Sequence, residues 1–239
     1  MPGMPSREDG YYLQRLHDFE QLDRMRDHWW WRPGWRAGRR LYTWYVTFED
    51  AAELHRLAAV HQRRISTPTL DPVPAEGLHL TLQTVGFTDE VPDADVHAIA
   101  EQAGSRCARL APFTVTLGPT YADPETVLLR VAPWDPVEQL RLTIRDAIAA
   151  VWGQDRVPGP AAGFHPHVTL CYSNADADSA PLRTVLADQR DLPPATARIH
   201  AAKLVRLDRD QHVYRWTTVS SAPLSGRTAT RSTPPQHRF

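Results

Sequence analysis

Two stretches of the chain alternate polar and apolar side chains, and each carries the same four-residue pattern. The first lies in residues 78–87 and reads His79-Leu80-Thr81-Leu82, and the second lies in residues 164–172 and reads His167-Val168-Thr169-Leu170. Such runs predict β-strands, in which residues i and i+2 share one face. Each strand is therefore expected to bury its aliphatic residues on one face and to present a histidine and a threonine on the other.

The chain repeats one order of predicted elements twice: strand, helix, loop and His-Thr strand. The leading strands begin at residues 41 and 126, an offset of 85 (126 − 41), and the two motif histidines are offset by 88 (167 − 79). A nearly constant offset indicates an internal duplication. The apolar pattern predicts helices over 51–64, 93–110, 135–151 and 182–188, and further strands over 41–48, 113–117, 126–131, 196–207 and 212–219.

This duplication predicts an α+β domain, residues 39–224, made of two similar lobes whose His-Thr strands face each other across a groove. The lobes are expected at about residues 39–120 and 121–224. Residues 225–239 are polar and basic, and we expect them to form a disordered tail.

Residues 1–38 precede the repeat and are expected to form a separate arm. Apolar residues recur every three positions from Leu13 to Met25 and predict a short helix. Four tryptophans and several arginines then crowd residues 28–40, with a turn at Pro33-Gly34. Two interpretations are open: a flap that stacks on bases and binds phosphates, or an arm that packs its tryptophans over the edge of a lobe.

Composition narrows the possible partners and the compartment. The 239 residues carry a net charge of −1, so any contact with nucleic acid must be a local site and not a general basic surface. Cys107 and Cys171 form no motif and suggest reduced thiols. Because the chain has no apolar signal segment and no long apolar run, we expect a soluble cytoplasmic protein without a membrane contact.

The two His-Thr faces suggest acid–base chemistry. An imidazole titrates near neutral pH, and a hydroxyl can donate a hydrogen bond to an oxyanion. If both faces border one cleft, His79 and His167 would supply an acid and a base, and Thr81 and Thr169 would supply two oxyanion donors. The alternative is that these are ordinary half-buried strands whose histidines are incidental.

The paired His-x-Thr-Leu motifs at this separation resemble those of the 2H phosphoesterase superfamily, and within it the bacterial 2′-5′ RNA ligase-like proteins, or RNA 2′,3′-cyclic phosphodiesterases. The resemblance covers about residues 39–222. It implies antiparallel sheets that face a central groove, with helices outside. It also implies metal-independent hydrolysis of 2′,3′-cyclic phosphates on RNA ends or nucleotides, without a cofactor, catalysed by His79, Thr81, His167 and Thr169.

Although the family name contains the word ligase, this chain has no adenylation motif. Lys203 is the single lysine. The sequence Lys203-Leu204-Val205-Arg206 does not match the Lys-x-Asp-Gly type of motif that supplies the lysine nucleophile of ATP-dependent nucleic-acid ligases.

Additional side chains are candidate substrate contacts. In many relatives a basic residue follows the second motif, where this chain has Cys171-Tyr172-Ser173, so the third phosphate ligand is open. Tyr172 lies five positions after His167, and an ideal strand would place it on the opposite face unless a bulge intervenes. The candidate substrate-binding residues are Arg32, Trp44, Tyr45 and Tyr172.

The motifs alone do not assign the acid and the base. We favour His79 as the acid and His167 as the base, and the roles exchange if the substrate binds in the reverse direction. Histidines without a companion threonine, such as His28, are expected on the surface or in helices. A further possibility is that His165 and His167 ligate a metal, although no third ligand is evident.

Two rival functions are open at this point. One is a non-catalytic module of the same fold that holds an RNA end or a nucleotide, and the other is a metal hydrolase built on His165 and His167. The presence of both histidines and both threonines favours the enzyme, because binding alone does not need two proton-transfer groups. The expected partner is RNA with a 2′,3′-cyclic phosphate end or a cyclic nucleotide, and the expected state is a monomer.

Overall fold

Helices and strands are interspersed along residues 6–226, the part of the chain that the computed structural model describes. The five α-helices of this part are α1 (Arg7–Glu20), α2 (Ala52–Arg64), α3 (Asp93–Cys107), α4 (Asp135–Trp152) and α5 (Ala180–Ala187). Its nine strands are β1 (Leu41–Thr47), β2 (Leu70–Pro72), β3 (His79–Phe87), β4 (Phe113–Ala122), β5 (Thr126–Ala132), β6 (His167–Ser173), β7 (Ala195–Ile199), β8 (Ala201–Asp208) and β9 (Arg215–Pro223).

The strands form two antiparallel sheets. The first has the strand order β3-β1-β8-β9, and the second has the order β2-β6-β5-β4-β7. Inner strands such as β1, with the sequence LYTWYVT, are rich in aromatic and β-branched residues and are buried on both faces. The predicted α+β fold with duplicated antiparallel sheets is confirmed.

The two sheets do not coincide with the two halves of the chain. β4, predicted in the first lobe, lies in the second sheet, whereas β8 and β9, predicted in the second lobe, lie in the first. The single strand predicted over 196–207 divides at His200 into β7 and β8, which join different sheets. The sheets therefore do not follow the predicted lobe boundaries at 39–120 and 121–224, because the chain crosses between the sheets before and after β2, after β3 and again after β7.

Each His-Thr strand is preceded by a helix, α2 before β3 and α4 before β6, and each of these helices packs on the sheet that does not contain its own His-Thr strand. α2 follows β1 of the first sheet but packs on β6 and β7 of the second, and α4 connects β5 to β6 in the second sheet but packs on β3 of the first. Apolar residues at helical spacing, such as Leu140, Ile144 and Ile148 on α4, form the buried stripes. Burial of each contributes about 1.5–3 kcal/mol. Both sheets and both helices share one continuous core.

The N-terminal arm begins with α1, which starts earlier than the helix predicted from Leu13 to Met25. Ser6 caps this helix, because its side chain accepts from the Asp9 amide at 3.1 Å while the Asp9 carboxylate accepts from the Ser6 amide at 3.3 Å. α1 packs on β4 of the second sheet. Asp9 also forms an ion pair with Arg130 at 2.6 Å, which ties the helix to β5.

After α1 the arm crosses from the second sheet to the first. Met25 N donates to Ala177 O and His28 N donates to Ser173 O, both at 2.8 Å, so this part of the arm runs along the end of β6. Further on, Arg40 donates to Asp210 at 2.7 Å, beside the end of β8. The arm therefore connects the two sheets along one side of the groove.

The tryptophans of the arm are not equivalent. Trp29 is buried, and its ring stacks on His212 at 5.3 Å between centroids. Trp30 and Trp31 are 47% and 50% exposed. Packing therefore accounts for Trp29, whereas Trp30 donates from Nε1 to Glu125 at 3.2 Å and Trp31 stays half exposed.

The described chain ends beside α3. Ser225 Oγ donates to Ala108 O and Gly226 N donates to Leu110 O, both at 2.9 Å. The rest of the tail predicted over 225–239 lies outside the described residues.

Both cysteines, Cys107 and Cys171, are buried and form no disulfide. Burial raises the pKa of each thiol to about 12. Across residues 6–226, none of the helices combines the length and the hydropathy that crossing a membrane requires.

Candidate active site

A β-bulge interrupts the first His-Thr strand just after its motif. The pairing register between β1 and β3 shifts at Leu82, which has no partner on β1. An extra residue breaks the two-residue period of a strand. Thr84, five positions after His79, therefore faces the same side as His79 and Thr81.

The second His-Thr strand carries a bulge at the equivalent position. The register between β5 and β6 shifts at Leu170, and this turns Tyr172 to the face of His167 and Thr169. The strand is therefore not ideal, and the bulge that the sequence left open brings the candidate residue Tyr172 to the cavity. Thr84 and Tyr172 thus occupy equivalent places in the two repeats.

A side chain from the crossing helix holds each bulge. Arg141 on α4 donates from Nε to the Leu82 carbonyl at 3.0 Å. Gln62 on α2 donates from Nε2 to the Leu170 carbonyl at 2.9 Å, and the Val73 amide donates to the same oxygen at 2.9 Å. A buried carbonyl without a donor costs about 1–3 kcal/mol. The helices therefore stabilise the irregular backbone that shapes the site.

Arg141 and its neighbour Arg145 also fix the loop that leads to the second motif. Their guanidinium groups donate to the carbonyls of residues 158–161 at distances between 2.6 and 3.0 Å. Both side chains are buried, and burial, reinforced by the Arg145 charge, lowers the pKa of Arg141. The same pair of side chains thereby joins the first bulge to the approach of the second motif.

One cavity of about 590 Å³ lies between the two sheets, and the residues of both motifs line it. His79 and Thr81 reach it from β3, and His167 and Thr169 reach it from β6. The structure thus brings together the four residues that the motifs single out. Their catalytic roles stay predictions.

The two motif histidines make equivalent hydrogen bonds. His79 Nδ1 lies 2.8 Å from Gly77 O, and His167 Nδ1 lies 2.9 Å from His165 O. A carbonyl oxygen can only accept, so Nδ1 carries the proton in each ring and Nε2 is left unprotonated in the neutral form. Each histidine is therefore set to offer Nε2 to a ligand in the cavity.

The environments of the two histidines differ. His79 is 8% exposed, and its ring stacks on Tyr45 with centroids 4.1 Å apart. Burial lowers the pKa of His79 to about 4, the Gly77 carbonyl opposes this shift, and the His167 charge adds to it. His79 is therefore neutral at pH 7 in the free protein, whereas the His167 side chain is only half-buried.

Each motif threonine lies beside a tyrosine that also borders the cavity. Burial raises the pKa of Tyr45 well above its usual value, and a hydrogen bond with Thr81 opposes the shift. Burial likewise raises the pKa of Tyr172, against a hydrogen bond with Thr169. Both tyrosines are thus neutral phenols that can donate a hydrogen bond to an anion.

One of the predicted substrate contacts lies away from the cavity, and another lines the cavity but already has an ion-pair partner. Trp44 is fully buried in the core, so the prediction that it contacts substrate is wrong. Its neighbour Tyr45 faces the cavity, and alternation along β1 turns Trp44 to the helix-covered face. Arg32 does line the cavity, but its guanidinium is ion-paired with Glu125.

His28 belongs to the cavity wall, which the sequence did not indicate. It is 7% exposed and lines the cavity, so the expectation of a surface or helical position is wrong. Arg32 Nη2 lies 3.3 Å from His28 Nδ1, and Glu125 Oε2 lies 3.2 Å from the same atom. On the other side of the ring, His28 Nε2 lies 3.0 Å from the Tyr214 hydroxyl.

The His165 ring packs on aromatic side chains, and its backbone carbonyl accepts a hydrogen bond from the His167 ring. The His165 ring stacks on Tyr11, with centroids 4.0 Å apart and planes 11° from parallel, and it meets Trp134 edge-on. Within residues 6–226, no three His, Cys, Asp or Glu side chains converge in a way that could hold a metal ion. The metal-hydrolase alternative therefore lacks a ligand set in the described part of the chain.

The buried histidines predict a loss of stability in acid. Burial, with the charges of Arg32 and Arg209, lowers the pKa of His28 to about 3. The unfolded chain takes up the proton near pH 6.5 and the native state does not, so the free energy of unfolding should fall from about pH 6.5 downward. The slope is at most about 1.4 kcal/mol per pH unit for each such histidine.

Urea unfolding between pH 7 and pH 4.5 measures this slope. His28→Phe removes one of the three buried histidines, His28, His61 and His79, whose pKa is lowered by burial. It is expected to reduce the slope of unfolding free energy against pH by nearly the contribution of one proton, whatever its effect on the stability at pH 7. His97→Gln, on the exposed face of α3, serves as the control. Equal slopes for wild type and His28→Phe would show that His28 is not held neutral in the native state.

The paired His-x-Thr strands, in a duplicated fold that directs both into one cavity, define a phosphoesterase of the two-histidine class. Residues 48–211 match the sequence model of the 2′-5′ RNA ligase superfamily, and the chain belongs to this family. The members of the superfamily are phosphoesterases, so the protein is an enzyme of this general type. The arm, residues 1–38, precedes the matched region. No curated protein matches the chain.

Several solved structures have the same fold. TT0787 from Thermus thermophilus is 24% identical with a TM-score of 0.60, and the alignment covers 80% of this chain and 100% of that chain. E. coli LigT complexed with 3′-AMP is 21% identical with a TM-score of 0.58, covering 78% and 99%. The protein of unknown function ATU0111 from Agrobacterium tumefaciens is 14% identical with a TM-score of 0.54, covering 76% and 85%.

Proposed function

We propose that the protein is a metal-independent phosphodiesterase that hydrolyses 2′,3′-cyclic phosphates on RNA ends or nucleotides. The observation that carries the proposal is the equivalent placement of His79 and His167, whose Nδ1–H groups are both tied to carbonyls so that both Nε2 atoms are available in one cavity. Structures of the similar E. coli LigT complexed with phosphate and with 3′-AMP support a nucleotide ligand.

The burial of His79 favours it as the base, which leaves His167 as the acid, the reverse of the assignment that the motifs alone suggested. Burial keeps His79 neutral, so its Nε2 can take a proton from water as the water oxygen bonds to phosphorus. The bond from phosphorus to the ribose 3′-oxygen breaks, and protonated His167 gives its proton to that oxygen. The product is a 2′-phosphate with a free 3′-hydroxyl.

Thr81 and Thr169 would act on the charge that develops during this step. Negative charge builds on the non-bridging phosphate oxygens, and a hydroxyl on either side of the cavity can donate to them. Tyr45 and Tyr172 lie beside the two threonines and supply further neutral donors. All these groups come from one chain, so a monomer suffices, and a cytosolic location suits reduced thiols and an RNA substrate.

A substrate panel tests the proposal. Purified protein is incubated with the four nucleoside 2′,3′-cyclic phosphates and with a short RNA that ends in a cyclic phosphate, each with and without EDTA. We expect hydrolysis of at least one substrate at the same rate in both conditions. Loss of turnover in EDTA would point to a metal hydrolase, and binding without turnover would leave only a non-catalytic RNA-end or nucleotide-binding module.

A further inference from the structure

The arm contributes the His28 ring to the cavity wall, and it also contributes charged side chains. Three of its arginines line the cavity: Arg15, Arg26 and Arg32. Two of them are neutralised, since Arg15 is ion-paired with Asp18 and Arg32 with Glu125. A salt bridge of this kind leaves little charge for a ligand unless the pair separates.

Arg26 differs from the other two. Its side chain is exposed at the cavity wall and has no ion pair or hydrogen bond with any residue of the range 6–226. The cavity wall has two acidic residues, Glu125, which is paired with Arg32, and Asp123. The Asp123 carboxylate accepts hydrogen bonds from the backbone amides of Glu125 and Thr126 at 2.8 Å each. The guanidinium of Arg26 is therefore the cavity cation that is available to an incoming anion.

The backbone fixes where Arg26 projects. Its amide donates to Pro124 O at 2.7 Å, and the preceding residue, Met25, is buried and bonded to Ala177 O at 2.8 Å. Two positions later His28 is buried and bonded to Ser173 O. Met25 and His28 are thus anchored to the end of β6 and the loop after it, and Arg26 stands between them with its side chain at the cavity wall.

We propose that Arg26 binds a second phosphate of the substrate, the one on the 5′-oxygen of the nucleoside whose cyclic phosphate reacts. The proposal rests on the proposed function and narrows its substrate class to nucleotides that carry this additional phosphate, either as a free 5′-phosphate or as the next phosphodiester of an RNA chain. A guanidinium suits this role because it donates two parallel hydrogen bonds to a phosphate.

The residues that would recognise the second phosphate lie outside the family match, which begins at residue 48. The reacting phosphate meets residues of β3 and β6, whereas the second phosphate meets the arm. The arm therefore sets the substrate preference of this chain, and the catalytic histidines do not.

Three substrates separate the contributions: a nucleoside 2′,3′-cyclic phosphate, the same compound with a 5′-phosphate, and a dinucleotide that ends in the cyclic phosphate. For wild type we expect KM to be about tenfold lower for the second and third substrates than for the first, the usual size of one charge-assisted contact. Arg26→Gln is expected to remove this advantage and to leave kcat and the KM of the first substrate unchanged.

Arg36→Gln is the matched control, because it removes the same charge from an exposed arm residue that pairs with Asp89 away from the cavity. The slope of log KM against log salt for the dinucleotide should also decrease by about 0.7 in Arg26→Gln and not in the control. Arg26→Lys should keep part of the affinity.

The outcomes separate the two proposals. An advantage for the dinucleotide without one for the 5′-phosphate would assign recognition to the second nucleoside and overturn the role of Arg26. An equal effect of Arg26→Gln on all three substrates would do the same. If wild type hydrolyses none of the three compounds, the proposed function fails. Equilibrium binding of the same compounds to wild type and to Arg26→Gln then decides separately whether Arg26 binds the 5′-phosphate.

Discussion

His79→Ala and His167→Ala are each expected to lower kcat for a 2′,3′-cyclic phosphate by about 10²–10⁴-fold, the usual worth of a positioned base or acid. The double variant should lose much less than the product of the two effects, because the two groups act on one proton-transfer sequence. Steady-state hydrolysis of the best substrate in the panel measures all three. His97→Ala, on the exposed face of α3, is the control for the loss of an imidazole.

The pH profile distinguishes the two roles. With His79 as the base and its pKa near 4, kcat/KM of wild type should rise with pH through that region and fall again when the acid loses its proton. His79→Ala should lose the acidic limb, and His167→Ala should lose the alkaline limb. If His79→Ala keeps the acidic limb and loses the alkaline one, the roles are the reverse. Wild-type turnover in both variants would end the enzyme hypothesis for this site.

Arg141→Met is expected to lower the free energy of unfolding by about 3 kcal/mol. The substitution leaves three carbonyls without this donor, those of Leu82, Pro160 and Ala161. Each unsatisfied buried carbonyl costs about 1–3 kcal/mol, and removal of a buried charge without a carboxylate partner recovers part of the sum. Urea unfolding at pH 7 measures the change.

The same variant should also lose activity, because the bulge at Leu82 sets the direction of Thr81 and Thr84. A displacement of about 1 Å at a reacting group can cost about 10²-fold in rate. Arg141→Lys keeps a donor and should lose less, and Leu142→Met, at a 47% exposed position of the same helix, should change nothing. Wild-type stability and turnover in Arg141→Met would mean that the strand pairing alone holds the bulge.

Local pattern predicted the parts of the site that obey a regular period. Alternation placed His79 with Thr81 and His167 with Thr169, and the constant offset paired the two strands. It could not predict Thr84 or place Tyr172, because each lies beyond a bulge and a bulge depends on register with a neighbouring strand. A run such as LYTWYVT is apolar on both faces, so it does not reveal that Tyr45 and not Trp44 borders the cavity.

The sheet membership of strands is also absent from local pattern. β4 and β8 have the alternation of half-buried strands, and that alternation is the same whichever sheet a strand joins. The contribution of His28 depends on an arm whose path is set by hydrogen bonds to residues 173–178. The density of Trp and Arg marked this segment as unusual, but nothing in its composition indicated that a histidine beside it would enter the cavity wall.

The crossed packing of α2 and α4 has a mechanical consequence. α4 is joined at both ends to the second sheet and packs on the first, and α2 follows the first sheet and packs on the second, so any rotation that widened the groove would pull a helix from the sheet beneath it. We therefore expect no hinge motion between the two sheets. The free and ligand-bound forms of the protein should superpose across both sheets, with the same distance between the two histidines. Substrates that differ in length must then be accommodated by side chains at the rim of the groove.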